Sequence, residues 1–205
     1  EDQIIGHFGL GFYSAFMVAD KIEVVSKAVG ADVANKWTST GVDGYTVEEC
    51  EKDSNGTVIT LYLKEDTENE NYSQYLEQYK IQELVKKYSD YIRYPIVMEM
   101  SKEVPDPEKE GEYIRLYTPA LNTQIPLWRK NKNEIKPEEY NDFYKQKFYD
   151  YTDPTLVIHS KVEGQATFDA LMYIPSVAPM DFYSKNYEKG LQLYSNGVMI
   201  MDKCG

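Results

Sequence analysis

The run Gly6-His7-Phe8-Gly9-Leu10-Gly11 carries the sharpest chemical pattern in the chain. Glycines let the backbone come close to a ligand, and successive main-chain N–H groups leading into a helix point their hydrogens at an anion. The chemistry suggested is a phosphate cradle, and the competing reading is a glycine hinge or a close helix contact. The spacing is G-x-x-G-x-G, the reverse of the dinucleotide fingerprint, and no strand precedes it, so that fold is not indicated. A second and weaker pattern is Asn55-Gly56-Thr57. There a glycine opens a strand, and a threonine hydroxyl either faces a ligand or serves only the turn.

Other chemistry is scarce. His7 and His159 have no metal-ligand spacing with cysteine or acid. Neither a G-x-S-x-G elbow nor an H-E-x-x-H helix occurs. The acids Glu65, Asp66 and Glu68 read as a solvated turn. Trp128, in Pro126-Leu127-Trp128, reads as a core anchor or as an exposed contact for a partner.

The elements that must position these residues follow from periodicity. The glycine run leads into Phe12–Ala19, which reads as a buried helix. Ile22–Ser26, Asn35–Thr40, Tyr45–Glu49 and Thr57–Leu63 read as four strands, the middle two joined through Gly41-Val42-Asp43-Gly44. One helix followed by four short strands predicts an antiparallel sheet with helices on one side. Ile81, Leu84, Val85, Tyr88 and Ile92 then fall at helical spacing, and Tyr94-Pro95 is expected to end that helix. Pro95–Met100 reads as a further strand, and the polar, proline-bearing Ser101–Gly111 as a linker. Pro137-Glu138-Glu139 starts a helix whose buried side is Tyr140, Phe143, Tyr144 and Phe148. Two hairpins close the pattern, Leu156–Glu163 with Ala166–Ile174 and Leu191–Tyr194 with Val198–Met201. The domains expected are residues 1–100, a linker over 101–123, and residues 124–205.

Bulk properties bound the function. The 205 residues suit one or two domains, with 42% hydrophobic and 27% charged residues and no apolar run long enough to span a membrane. The 34 acidic residues against 22 basic, a formal net charge of −12, make nucleic acid a poor partner, since a phosphate backbone would be repelled. Cys50 and Cys204 lie far apart and form no disulfide framework, which suits a reducing cytoplasm. The 19 tyrosines predict many half-buried rings. Glu1 is not a methionine start and the chain stops after an apolar run, so a fragment of a longer protein is expected.

Several segments together resemble the ninety-kilodalton heat-shock chaperone family, in its bacterial form. GHFGLGFYSAFMVADKIEVVSKA is similar to the stretch that closes the family's nucleotide lid. GTVITLYLKED and YSDYIRYPIVM resemble the later parts of its ATP-binding domain. PLWRKNKNEIKPEEYNDFYK, VEGQATFDALMYIPSVAPMDFY and KGLQLYSNGVMIMDKC resemble successive parts of its middle domain. These matches keep the family's order from Gly6 to Cys204.

The resemblance implies an α/β protein. Residues 1–100 would be the C-terminal part of an α+β two-layer sandwich of the gyrase, histidine-kinase and mismatch-repair ATPase type. Residues 124–205 would open an α/β middle domain. Gly9, Leu10, Gly11 and Phe12 would face phosphate through backbone amides, with Gly6 as lid hinge and Thr57 near the adenine. Trp128 would be client-facing, and Met180 would contact the nucleotide domain. ATP and magnesium are the implied cofactors, with the catalytic and metal-holding residues outside this chain, so that the chain alone is expected to be inactive. The implied parent is a cytoplasmic, homodimeric, ATP-hydrolysing chaperone for partly folded clients. His7 stands where glutamine is commoner. A DNA-acting ATPase of the same superfamily and a non-enzymatic interaction module are the competing readings.

Overall fold

In the computed structural model, residues 10–99, 101–105, 113–117, 120–165, 167–185, 187–188 and 190–204 are described, those at 10, 101–105 and 113–117 by their backbone alone. The chain divides into two compact units, Glu1–Ile81 and Gln82–Gly205. The expected boundary near residue 100 lies well inside the second unit.

The first unit is built on a four-stranded antiparallel sheet. Its strands are β1 (Ala19–Lys27), β2 (Ala34–Ser39), β3 (Tyr45–Cys50) and β4 (Gly56–Leu63), in the order β3-β2-β1-β4. These are the four strands expected from alternation. Register pairs Val24 with both Trp37 and Ile59, and Ser26 with Thr57. Directly paired residues share a face, and successive residues alternate between faces. One face therefore carries Ile22, Val24, Trp37, Tyr45, Val47, Ile59 and Leu61. The other carries Lys21, Glu23, Lys36, Glu48 and Tyr62, where Glu23 accepts from Lys21 at 3.0 Å and from the Tyr62 hydroxyl at 3.0 Å. Ile22 is fully buried at the sheet centre. At the β2–β3 turn, Gly41 and Gly44 take φ of 87° and 90°, the left-handed region glycine tolerates. Ser39 Oγ donates to the Gly44 carbonyl at 2.5 Å and accepts from Gly41 N–H at 3.0 Å, which closes the turn.

The segment before β1 differs from expectation. A single turn of α-helix, α1 (Leu10–Tyr13), tightens into a 3₁₀ turn over Ser14–Met17, and Tyr13 and Met17 are exposed. Ser14 Oγ donates to the Gly11 carbonyl at 2.6 Å, a local bond that competes with helix propagation. Helix α2 (Gln78–Tyr88) also stops earlier than the proline predicts. Asp90, buried just beyond its end, accepts from Lys86 Nζ at 3.1 Å and from Thr123 N–H at 2.8 Å. Those bonds commit the chain to a turn before Pro95 is reached.

The second unit corrects two further expectations. Residues 95–99 form no strand, and the expected linker contains an antiparallel hairpin, β5 (Ser101–Pro105) with β6 (Tyr113–Tyr117). What holds 92–96 is the buried Asn122. Its amide donates to the carbonyls of Ile92 (2.8 Å) and Tyr94 (2.9 Å), and its oxygen accepts from Ile96 N–H (2.8 Å). One side chain thus supplies the main-chain bonds that a neighbouring strand would have given. Asn122→Ala should cost about 3 kcal/mol, since three partners lose a bond worth roughly 1 kcal/mol each. Urea unfolding checks this, and a loss within experimental error would show that another contact holds the segment.

The remaining elements follow the sequence pattern. Helix α3 (Pro137–Phe148) starts with Pro137, and its Lys136 N–H donates to Glu139 Oε1 at 3.1 Å. Two hairpins follow, β7 (Leu156–Val162) with β8 (Phe168–Ile174), and β9 (Leu191–Ser195) with β10 (Val198–Cys204). The β9–β10 turn places Asn196 at φ 50° and Gly197 at φ 83°. The backbone there sits hard against Tyr91: a Cβ on Gly197 would lie 2.0 Å from the Tyr91 carbonyl oxygen.

Candidate functional site

In the first unit, the structure brings two of the sequence-marked positions to the same side of the sheet. Phe12, at the exit of the glycine run, packs edge-on against Trp37 with ring centroids 5.5 Å apart. Trp37 in turn stacks on Tyr45 at 6.1 Å. Thr57, the second residue of β4, lies on that same face, and its hydroxyl is 2.9 Å from Ser26 Oγ. The face is open toward its two edges, where Tyr45 and Val47 of β3 and Ile59 and Leu61 of β4 remain exposed, and closed over Ile22 at its centre. Gly11 is exposed as well, and a Cβ there would meet nothing within 4 Å. Gly6 and Gly9 lie outside the described residues, and Leu10 is described by its backbone as the first residue of α1. Phe12 is half-buried against the sheet, which anchors the end of the glycine run. Among the described residues no group of three His, Cys, Asp or Glu side chains could hold a metal.

The second unit holds the other two marked positions, in contrasting environments. Trp128 is half-buried in a ring cluster, with Tyr91 at 4.7 Å, Tyr194 at 5.3 Å and Phe143 at 6.2 Å. Its carbonyl accepts from His159 Nε2 at 2.8 Å, while His159 Nδ1 lies 2.7 Å from the Tyr140 hydroxyl. That pair of contacts fixes the imidazole as a strut between α3, β7 and the Trp128 turn. Met180, by contrast, is fully exposed in a turn beside the equally open Tyr183. The sequence left Trp128 between anchor and contact, and packing makes it an anchor with one edge in solvent. Of the cluster's other members, Phe143 was marked by the α3 pattern, whereas Tyr91 and Tyr194 carry no local signal for this contact, because they meet Trp128 only through tertiary packing.

Burial leaves a titration signature in this cluster. It pushes the Tyr194 phenol up to about 12, and the Tyr91 and Tyr173 phenols upward as well. Tyr144 is also pushed up to about 12, first by burial and then by its hydrogen bond to Asp150 at 2.5 Å. Lys147, which donates to the Tyr194 hydroxyl at 3.2 Å, is shifted down by burial. A phenol neutral in the fold to about pH 12, but ionising near 10 once unfolded, favours the fold fully below pH 10. That contribution is lost as pH rises toward 12. The second unit should therefore lose stability steeply between about pH 10 and 12. Trp128 fluorescence in a Trp37→Phe background checks this, and a transition unmoved across that range would contradict the burial of these rings.

The two units thus offer different chemistry: a partly open sheet face with Phe12 packed on it in one, and a closed aromatic cluster in the other. Comparison with known proteins gives the chain a family. The model of the family described as Hsp90 protein matches residues 74–118 and 114–205, so the chain belongs to the Hsp90 family. Its relatives include the chaperone protein HtpG of Clostridium acetobutylicum, 53% identical over 204 residues. The chaperone protein HtpG of Clostridium botulinum strain Hall is 50% identical over 203 residues, and that of Shouchella clausii 50% identical over 202. Each alignment covers 98% of this chain and 32% of the relative, so the chain spans about a third of the length of the curated relatives it matches. Among the described residues no helix is long and apolar enough to cross a membrane.

Proposed function

We propose that this chain is part of an ATP-dependent molecular chaperone that binds and remodels partly folded client proteins, with a glycine-rich lid closing over the nucleotide. Family membership supports the class. The observation that carries the nucleotide reading is the shared face of Phe12 and Thr57, since it sets the end of the glycine run and the β4 threonine on one side of the sheet. On this reading residues 1–100 are the C-terminal part of a two-layer ATPase sandwich, residues 101–123 are a linker, and residues 124–205 open the middle domain. The whole protein is a cytoplasmic homodimer that hydrolyses ATP.

The residues present fit a nucleotide in two respects. Gly11 leaves open space where phosphate would approach, and the amides of Gly9, Leu10, Gly11 and Phe12 would donate to phosphate oxygens. Thr57 Oγ1 shares one hydrogen with Ser26 and keeps bonding capacity for a base edge. Gly6 would act as the hinge about which the lid swings. Bound magnesium would supply charge neutralisation on the phosphates. The described residues supply no ligand cluster for it. Trp128, through its exposed edge, and Met180 would serve client and interdomain contact.

The test uses the full-length protein. Calorimetry with magnesium-ATP should show binding, and the protein should suppress aggregation of a thermally unfolding client in a nucleotide-dependent way. A folded full-length protein without ATP affinity would overturn the reading. Client protection independent of nucleotide would leave a passive binding module in its place.

A further inference from the structure

The sequence contains two Asn-Gly pairs, Asn55-Gly56 and Asn196-Gly197, and the structure places them in opposite circumstances. Asn-Gly is the dipeptide in which the following main-chain nitrogen most easily attacks the asparagine side chain, because glycine offers no side chain to hinder ring closure. The attack needs both residues to rotate freely.

At Asn55-Gly56 little prevents that rotation. Both residues are exposed, and a Cβ built on Gly56 meets nothing within 4 Å. Asn55 lies in the bend before β4, and Gly56 forms only the terminal pair of the β1–β4 ladder, opposite Lys27. Terminal pairs are the first to open. The loop base is tied by Lys27 Nζ to the Lys52 carbonyl at 3.0 Å, and Lys52 Nζ reaches the Ser54 carbonyl at 2.6 Å. Those bonds stop one residue short of Asn55.

At Asn196-Gly197 the backbone is clamped. The two residues form a tight turn at φ 50° and 83°. Gly197 lies so close to Tyr91 and Ile92 that a Cβ would sit 2.0 Å from the Tyr91 oxygen and 2.8 Å from the Ile92 nitrogen. Rotation about this peptide drives backbone into backbone, so ring closure first requires the turn to leave the Tyr91 surface.

We infer that Asn55 is a site of spontaneous deamidation in the folded protein, and that Asn196, with the same dipeptide, is protected. The Gly56 nitrogen, having lost its proton to solvent base, bonds to Asn55 Cγ. The Cγ–Nδ2 bond breaks, and ammonia leaves with a proton from solvent. Water then opens the succinimide at either carbonyl, giving aspartate or isoaspartate. No oxidant or enzyme takes part. The product adds one negative charge to a chain already at −12. In the isoaspartate form it also adds one methylene to the main chain immediately before Gly56, which displaces the Ser26–Thr57 pair. Only this consequence rests on the proposed nucleotide reading: there, the modification puts a charge and a register error two residues from the group facing the base. The modification itself stands independently of that reading.

The experiment is incubation of the 205-residue chain in mildly alkaline buffer, followed by peptide mass mapping. Labelled methyl transfer by an isoaspartyl methyltransferase serves as a second readout. Conversion at Asn55 should exceed that at Asn196 by about tenfold or more in the folded chain, a ratio equivalent to about 1.4 kcal/mol of turn opening. In concentrated urea the ratio should fall to near one, since the dipeptides are then equivalent. Asn55→Gln should remove the isoaspartate from the peptide that carries residue 55 and lower the methyltransferase signal accordingly. Equal conversion of the two sites in the folded chain, or faster conversion at Asn196, would overturn the inference.

Discussion

Full-length protein carrying Gly11→Asp should bind ATP about a hundredfold more weakly, or worse, while keeping its melting temperature. Gly11 is exposed, and a side chain there meets no neighbour within 4 Å. Its backbone does not take the left-handed φ that Gly41 and Gly44 adopt, so an L side chain is accepted without strain. Asp replaces the residue of lowest propensity within α1, which spares the fold further. Its effect falls on the phosphates. Each amide-to-phosphate bond is charge-assisted and worth roughly 1.5–3 kcal/mol, so displacing two accounts for the predicted loss. A carboxylate beside a triphosphate adds repulsion to that. Calorimetry on the folded variant decides between two readings: unchanged ATP affinity would remove the phosphate cradle and leave the glycine run as a hinge.

Local signals announced the elements that form locally, and stayed silent on the contacts that join distant residues. The four strands of the first unit were legible because alternation in segments such as Val24–Ser26 and Thr57–Leu63 is a property of consecutive residues, and the glycines of the β2–β3 turn mark it directly. Helix α3 announced itself through Pro137 and its acids. The strand expected at 95–100 failed for a different reason. Ile96 and Val97 have strand composition, but the Ile96 N–H and the Tyr94 carbonyl find their partner in the side chain of Asn122, and nothing near Pro95 signals a distant asparagine. The hairpin of β5 and β6 was masked by Pro105 and the surrounding charges, which read as linker when counted by composition. For the candidate site, the glycine run and Thr57 were visible as types. The placement of Phe12 and Thr57 on one face of the sheet was not, because it depends on β1 pairing with both β2 and β4, and local pattern leaves strand partners unspecified.

Gly197 gives the largest expected stability change in the second unit, and Gly197→Ala should lower its unfolding free energy by about 3–5 kcal/mol. Two effects add. The φ of 83° lies where an alanine costs roughly 1–2 kcal/mol relative to its preferred regions. The new methyl would also sit 2.0 Å from the Tyr91 oxygen, 2.5 Å from its carbonyl carbon and 2.8 Å from Ile92 nitrogen, all of them backbone atoms that cannot rotate away. Relief requires the Asn196-Gly197 turn to lift. That movement pulls Tyr194 off Tyr91 and Trp128, whose rings it meets at 5.2 and 5.3 Å, and loosens the Lys147 contact to the Tyr194 hydroxyl. The cluster holds one of the chain's two tryptophans, so a Trp37→Phe background makes Trp128 fluorescence report this unit alone during urea unfolding. Gly164→Ala, in the turn between β7 and β8, is the matched control: its Cβ meets nothing within 4 Å and its φ is ordinary, so its effect should stay within about 0.5 kcal/mol. A Gly197→Ala midpoint equal to that control would mean that the β9–β10 turn does not rest on Tyr91 in solution, and the aromatic cluster would need another explanation for its order.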